Sequence, residues 1–341
     1  MTATRRAGQG AMTRVTAALI MGTGLAPSAL GQQRPVFPTE IGVVVLDATV
    51  RNARGELVTD LDSAAFTVYE NGRAQPVTLF RRDDVPVSLG IALDNSGSMR
   101  GKRAALEAAA LTLVRASNPR DEIFVLNFAD KTSIDVPFTR DIRVLEAGVA
   151  RVDSIGGTAL RDAIVTGEKY LTARGVHQRK ALLVVTDGID NASELSSEQV
   201  REGAKRSRAV IHFIGVLGDE DEGRVKRGRH ELHELAEETG GLVYYPRTLE
   251  EAGAIALDLA RQIRSQYTIG YSPENQGLDG SYRRIRVVAR GHVRLSVRTR
   301  AGYRAVPPEG QGRQDGPSGA SPGHVSAPAL GDRSAIKESG R

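Results

Sequence analysis

The sequence predicts an α/β protein: a doubly wound, mostly parallel sheet flanked by helices, with a small β-subdomain built from the flanking segments. Three observations carry this. Between residues 85 and 271, apolar strand patterns alternate with amphipathic helical ones, the order that lays helices on both faces of a parallel sheet. The strand patterns there are nearly continuous apolar runs, as burial on both faces requires. The stretches before and after this region show short alternating runs broken by turn residues instead, the mark of antiparallel pairing.

Composition sets the bounds. A chain of 341 residues has room for one large or two modest domains. With 40% apolar and 26% charged residues it has the make-up of a soluble globular protein. Trp is absent and aromatics are 4%, so the core must be mainly Val, Leu, Ile and Ala. The absence of Cys excludes disulfides, thiolate metal sites, a Cys nucleophile and a lipid-bearing N-terminal Cys. The net charge is +5, but Arg5, Arg6 and Arg14 stand in an N-terminal stretch without acids. No basic run interleaved with aromatics follows, so no nucleic-acid partner is expected.

In chain order, residues 1–31 read as a secretory signal. Arg5, Arg6 and Arg14 form a basic start, Val15–Ala26 a short apolar run, and Ala29-Leu30-Gly31 the small residues that place cleavage before Gln32. The apolar run is too short and glycine-interrupted to span a bilayer, and no second one follows, so neither a spanning segment nor an anchor is expected. Residues 32–84 form an N-terminal β-rich segment. Ile41–Val50, Leu57–Leu61 and Phe66–Glu70 read as strands, Asn71-Gly72 as a hairpin turn, and Val77–Phe80 as its return.

Residues 85–271 supply the strand patterns Val87–Leu93, Ile123–Phe128, Ala181–Thr186, Val210–Val216, Leu242–Tyr245 and Tyr267–Tyr271. The helical patterns between them are Lys102–Ser117, Ile142–Val152, Ala159–Ala173, Ser197–Ser207, Arg229–Glu238 and Leu249–Arg264. Residues 272–305 return to β, with Tyr282–Ala289 and Val293–Thr299 expected as a hairpin that completes a sheet with residues 38–82. Beyond them, 306–341 is one-third Gly and Pro with balanced charge, the composition of a disordered tail.

The chemistry gathers where the Val87–Leu93 run ends in Asp94-Asn-Ser96-Gly-Ser98-Met. Ligands of open α/β sheets bind beyond the carboxyl ends of the strands. An acid and two hydroxyls at alternate positions of one loop can turn three oxygens to one point, a donor set that suits a hard cation. Alone, the same residues also serve as turn formers and helix caps. Two further segments share the character: Ile155-Gly-Gly-Thr158, and the strand Val184-Val185-Thr186 that ends in Asp187-Gly188.

Together the three segments resemble the von Willebrand factor type A (VWA) domain and its metal-ion-dependent adhesion site, whose D-x-S-x-S, Thr and Asp occur here in order as Asp94, Ser96, Ser98, Thr158 and Asp187. The stretch ending in Phe66-Thr-Val-Tyr-Glu-Asn-Gly72 looks like the leader module of a group of secreted bacterial VWA-related proteins. The resemblance implies a bound divalent cation, Mg²⁺ foremost with Mn²⁺ or Ca²⁺ as alternatives. It makes Ser96, Ser98 and Thr158 direct ligands, with Asp94 and Asp187 acting largely through coordinated water. It also implies a protein partner whose Asp or Glu carboxylate completes the coordination.

Other motifs fall short. Gly97-Ser-Met-Arg-Gly101-Lys102 has one residue too few between its glycines for a P-loop, and Arg103 replaces Ser or Thr, so no nucleotide is expected. His230-Glu231-Leu-His233 misses H-E-x-x-H because Glu234 occupies the second His position. His177, His212, His292 and His324 lack metal-site spacing, and Asn191-Ala-Ser193 is an isolated sequon. A phosphotransfer enzyme with Asp94 as nucleophile would want a second Asp where Ser96 stands. The expectation is therefore a secreted or periplasmic, non-enzymatic, metal-dependent protein-binding module. The alternatives are a VWA scaffold or assembly factor with a structural metal and, behind it, a metal-dependent phosphotransfer enzyme.

Overall fold

A computed structural model describes residues 42–306 apart from 83, 151–154, 217–221 and 292. The expected signal at 1–31, nearly all of the 306–341 tail, His292 and His324 lie outside the described residues.

The chain begins with β1 (Val44–Asn52). The strand expected over Leu57–Leu61 reduces to one bridge between Arg51 and Leu57. Its backbone is satisfied otherwise: Val58 N donates to Val50 O, the Tyr267 hydroxyl donates to Val58 O, and Leu61 N donates to that hydroxyl. The hairpin at Asn71-Gly72 joins β2 (Phe66–Glu70) to β3 (Arg73–Gln75). Asn71 and Gly72 take φ of 49° and 85°, the paired left-handed values of a tight hairpin turn. The expected return strand, β4 (Val77–Arg81), pairs in another sheet, because Pro76 has no N–H with which to extend the ladder.

The α/β layer follows as β5 (Val87–Asp94), α1 (Arg103–Ala116), β6 (Glu122–Phe128), β7 (Thr132–Thr139), α2 (Ile142–Val149), α3 (Leu160–Arg174), β8 (Arg179–Thr186), α4 (Ser197–Arg206), β9 (Val210–Gly215), α5 (Glu222–Thr239), β10 (Val243–Tyr244) and α6 (Leu249–Arg264). The sheet runs β10-β9-β8-β5-β6-β7 and is parallel except for β7 at its edge. Two apolar cores cover its faces. Side chains of α1, α2 and α6 fill one, and those of α3, α4 and α5 fill the other. Among the described residues no helix is long and apolar enough to cross a membrane.

Four more strands close the chain: β11 (Tyr267–Tyr271), β12 (Tyr282–Ala289), β13 (Leu295–Arg298) and β14 (Gly302–Arg304). They join the N-terminal strands in two four-stranded sheets, β13-β1-β11-β4 and β14-β12-β2-β3, which share one core. Two expectations are corrected here. Tyr267–Tyr271 is not a strand of the parallel sheet: it lies antiparallel between β1 and β4, where Tyr267, Ile269 and Tyr271 enter the sandwich core. The expected C-terminal hairpin does not pair with itself, since β12 joins β2 and β14 while β13 crosses to β1.

Buried polar groups fasten these layers. Glu70 accepts from the hydroxyls of Tyr271, on the facing sheet, and Tyr303, at 2.6 and 2.9 Å, with the Arg283 guanidinium 3.6 Å away. Burial pushes the Tyr271 hydroxyl up from its usual pKa, so it remains a donor. Arg179, at the first position of β8, donates to Ile263 O, Gln266 O and the Thr268 hydroxyl at 3.2, 3.1 and 3.0 Å, and its Nε lies 3.4 Å from the Asp47 carboxylate. One side chain thereby ties the α/β sheet to the end of α6, to β11 and to β1.

His212, fully buried in β9, accepts the Leu242 N–H at its Nδ1, and burial lowers its pKa from 6.5 to about 3. Between those values the unfolded chain binds a proton that the folded one refuses, so stability falls as pH drops below 6.5. Between pH 7 and 5, urea titrations should show wild type losing about 2 kcal/mol more than His212→Asn, which still accepts the N–H. Parallel pH profiles for the two proteins would contradict this.

Candidate metal centre

Every residue of β5 is buried, and the strand delivers Asp94 to the carboxyl edge of the sheet. There β8 runs parallel beside it with Leu93 paired to Val185, so Asp94 arrives next to Thr186 and just short of Asp187. The Thr186 hydroxyl donates to Asp94 Oδ2 at 2.6 Å and accepts from Gly188 N at 3.0 Å. Asp94 Oδ1 accepts from Ser96 N at 2.9 Å, and the Ser96 and Ser98 hydroxyls lie 3.0 Å apart.

The second segment is strapped to this loop through the main chain. Asn95 N donates to Phe128 O, Ile155 N to Asn95 O and Gly97 N to Gly156 O, at 2.7, 3.2 and 3.1 Å. Gly156 takes a φ of 95° with the Asp130 carboxylate packed where a Cβ would stand, so only glycine fits. Thr158 is held to the loop after β8: its N–H donates to Asn191 Oδ1 at 2.8 Å, and its carbonyl accepts from the N–H groups of Asn191 and Ala192. The fold thus gathers the three segments at one sheet edge. Asp94, Ser96 and Ser98 meet directly, Asp187 stands beside Asp94 on the neighbouring strand, and Thr158 joins through its main chain.

The electrostatics are dominated by burial. Asp94, Ser96, Thr158 and Asp187 are each no more than 2% exposed, while Ser98 reaches solvent. Burial, with the charge of Asp187 adding to it, pushes the Asp94 carboxyl up to about 6, although the hydrogen bonds from Ser96 and Thr186 favour its ionised form. Asp187 Oδ1 accepts from Ile189 N at 3.2 Å. Its Oδ2 and the Asn95 Oδ1 are buried without hydrogen-bond partners. Buried carbonyl and carboxylate oxygens rarely stay unpaired. Two acids, three hydroxyls and these orphaned oxygens fit an oxygen-preferring divalent cation.

Sequence reasoning missed three supporting residues. Thr186 orients Asp94, Asn191 anchors Thr158, and Lys102 places its ammonium 3.6 Å from Asp187 Oδ2. Thr186 could have been found as a strand-terminal hydroxyl facing the paired strand's acid. In the sequence Asn191 reads only as part of an isolated sequon, and Lys102 only as the end of the failed P-loop pattern and the start of a helical one. The other His-containing motif is occupied: Glu231 forms a two-pronged pair with Arg161 at 2.6 and 2.9 Å.

The family model of the von Willebrand factor type A domain matches residues 89–189, the span from β5 to the loop after β8 that holds all five candidate residues. Among solved structures, the von Willebrand factor type A protein from Catenulispora acidiphila is 14% identical, with 80% of this chain and 75% of that one covered at a TM-score of 0.46. An aerotolerance-related membrane protein from Bacteroides fragilis is 20% identical over 52% of this chain and 98% of its own, TM-score 0.43. The PilB minor pilin from Streptococcus sanguinis is 13% identical, covering 54% and 63%, TM-score 0.45. No curated protein sequence matches the chain.

Without metal, Thr186→Val should lower unfolding stability by about 2 kcal/mol, since it strands a buried carboxylate oxygen. The double variant Asp94→Asn/Thr186→Val should lose less than the two single losses combined, because the residues share one interaction. Urea melts of the four proteins would decide, and strict additivity would count against the contact.

Proposed function

We propose that this chain is a metal-dependent binding module that holds a divalent cation at the carboxyl edge of its parallel sheet and uses it to capture a carboxylate of a protein partner. What carries the reading is the gathering of two buried acids, the Ser96 and Ser98 hydroxyls and the Thr158 segment on one edge, with an Asp187 oxygen that no hydrogen bond satisfies and Ser98 open to solvent. Ser96, Ser98 and Thr158 would bind the ion directly, and Asp94 and Asp187 would act largely through its water. The ion, Mg²⁺ before Mn²⁺ or Ca²⁺, supplies a hard electrophilic centre. Neutral hydroxyls leave most of its charge available to an incoming Asp or Glu, and Mg²⁺ readily keeps positions for water or an outside ligand.

The protein's own groups do the rest. Thr186 and the Ser96 N–H hold the Asp94 carboxylate in one orientation, and the glycines at 156 and 157 bring the Thr158 segment close to the loop. Residues 1–31 support a secreted or periplasmic setting, and binding is preferred to turnover because Ser96 stands where a phosphotransfer site wants its second acid. Neither point rests on the fold.

Thermal unfolding in EDTA and then in millimolar Mg²⁺ or Mn²⁺ tests the reading. A ligand held only by the folded state at a hundred times its dissociation constant adds about 2.7 kcal/mol, a rise of several degrees that Asp94→Ala should abolish. Thr158→Ala should weaken the metal response while leaving the metal-free fold nearly intact, and Asp187→Ala should weaken it with a loss of metal-free stability, because Lys102 then loses its partner. Unfolding of Thr158→Ala would point to a structural metal. Turnover of a generic phosphate ester that vanishes in Asp94→Ala would point to an enzyme.

A further inference from the structure

Lys102 has no place in the ligand set, yet it stands beside one of its acids. It is the last residue of the tight Gly97–Lys102 turn that carries the chain from the Ser96–Ser98 loop into α1. Its side chain is only 14% exposed, and its ammonium lies 3.6 Å from Asp187 Oδ2, the oxygen that is buried without a hydrogen-bond partner. At that distance from a 1% exposed carboxylate, the contact is an ion pair largely removed from water. Screening is weak there, and charges interact far more strongly than at an exposed site.

The consequence for a divalent ion follows from charge. Without metal, Lys102 already neutralises part of the negative charge that would attract one. An ion drawn to Asp187 must either share that carboxylate with an ammonium, at a cost in like-charge repulsion, or displace the ammonium from a nearly buried position. Both routes weaken metal binding relative to the same site without the ammonium. In return, Lys102 holds the Asp187 carboxylate in place while no metal is present.

We propose that Lys102 is a built-in competitor for the divalent cation, a single positive side chain that sets the metal affinity of this site low. The proposal deepens the metal-binding reading and rests on it.

The test is Mn²⁺ binding by calorimetry to the full chain as wild type, Lys102→Met, Lys102→Arg and Asp94→Ala, with thermal unfolding in EDTA beside it. Lys102→Met should bind Mn²⁺ at least about tenfold more tightly, the equivalent of 1.4 kcal/mol and a modest share of a weakly screened charge interaction. It should also melt lower than wild type in EDTA and show the larger rise on adding Mn²⁺. Lys102→Arg, which keeps the charge, should stay within about threefold of wild type, less than half of that tenfold change in energy. If Lys102→Met does not fold, Lys102→Gln takes its place with the same expectation.

Equal or weaker binding by the uncharged variant, with binding still lost in Asp94→Ala, would overturn the competitor role and leave the metal site standing. Mn²⁺ binding by none of the four proteins would overturn both. Binding by the uncharged variant alone would be the strongest form of the expected result.

Discussion

The short bond from the Thr186 hydroxyl to Asp94 Oδ2 is the contact on which the site depends. It joins the ends of two parallel strands whose register already matches Leu93 with Val185, fixing Asp94 in line with the acid that follows Thr186. Parallel neighbours place their carboxyl ends on one edge, so residues far apart in sequence meet there without long loops. β5 is buried throughout and β8 from Ala181 onward, so close packing surrounds both strands as they reach that edge. Sequence, register and site chemistry are thus one arrangement: apolar strands fix the register, and the register pairs the acids.

The central strands could be read from the sequence because burial on both faces leaves an unbroken apolar signature. The edges could not. β7 carries Thr, Ser, Asp and Pro among its apolar residues, since an edge strand is covered less and tolerates proline. The first turns of α5, Glu222-Gly-Arg-Val-Lys-Arg-Gly-Arg, offer one apolar residue and two glycines, so no periodicity announces them. Strand membership was harder still. Tyr267–Tyr271 has the pattern of any buried strand, and only its pairing with β1 and β4 shows which sheet it serves.

At the site, the oxygen donors were legible because their residue types are unusual at the ends of apolar strands. Their supports were not. Asn191 holds Thr158 through a side-chain contact spanning 33 residues, and Thr186 reaches Asp94 across 92. Nothing local distinguishes either from an ordinary turn or strand residue. The candidate site lies on the sheet edge opposite Arg179, whose fork grips the sandwich at the start of β8. With β8 eight residues long, roughly 25 Å separates the two ends at the usual rise per residue.

The position of β11 also bears on how the molecule assembles. The chain leaves the sandwich at the end of β4 and re-enters at β11, and Arg81 is the register partner of Thr268. Residues 82–266, the whole α/β layer, are thus inserted between two adjacent antiparallel strands. Closing so long a loop from a random chain is entropically costly and slow. An already folded insert holds its two ends near each other, one strand spacing apart, and turns the long closure into a short one. An insert able to fold by itself would thus favour closing the sandwich after the α/β layer is in place.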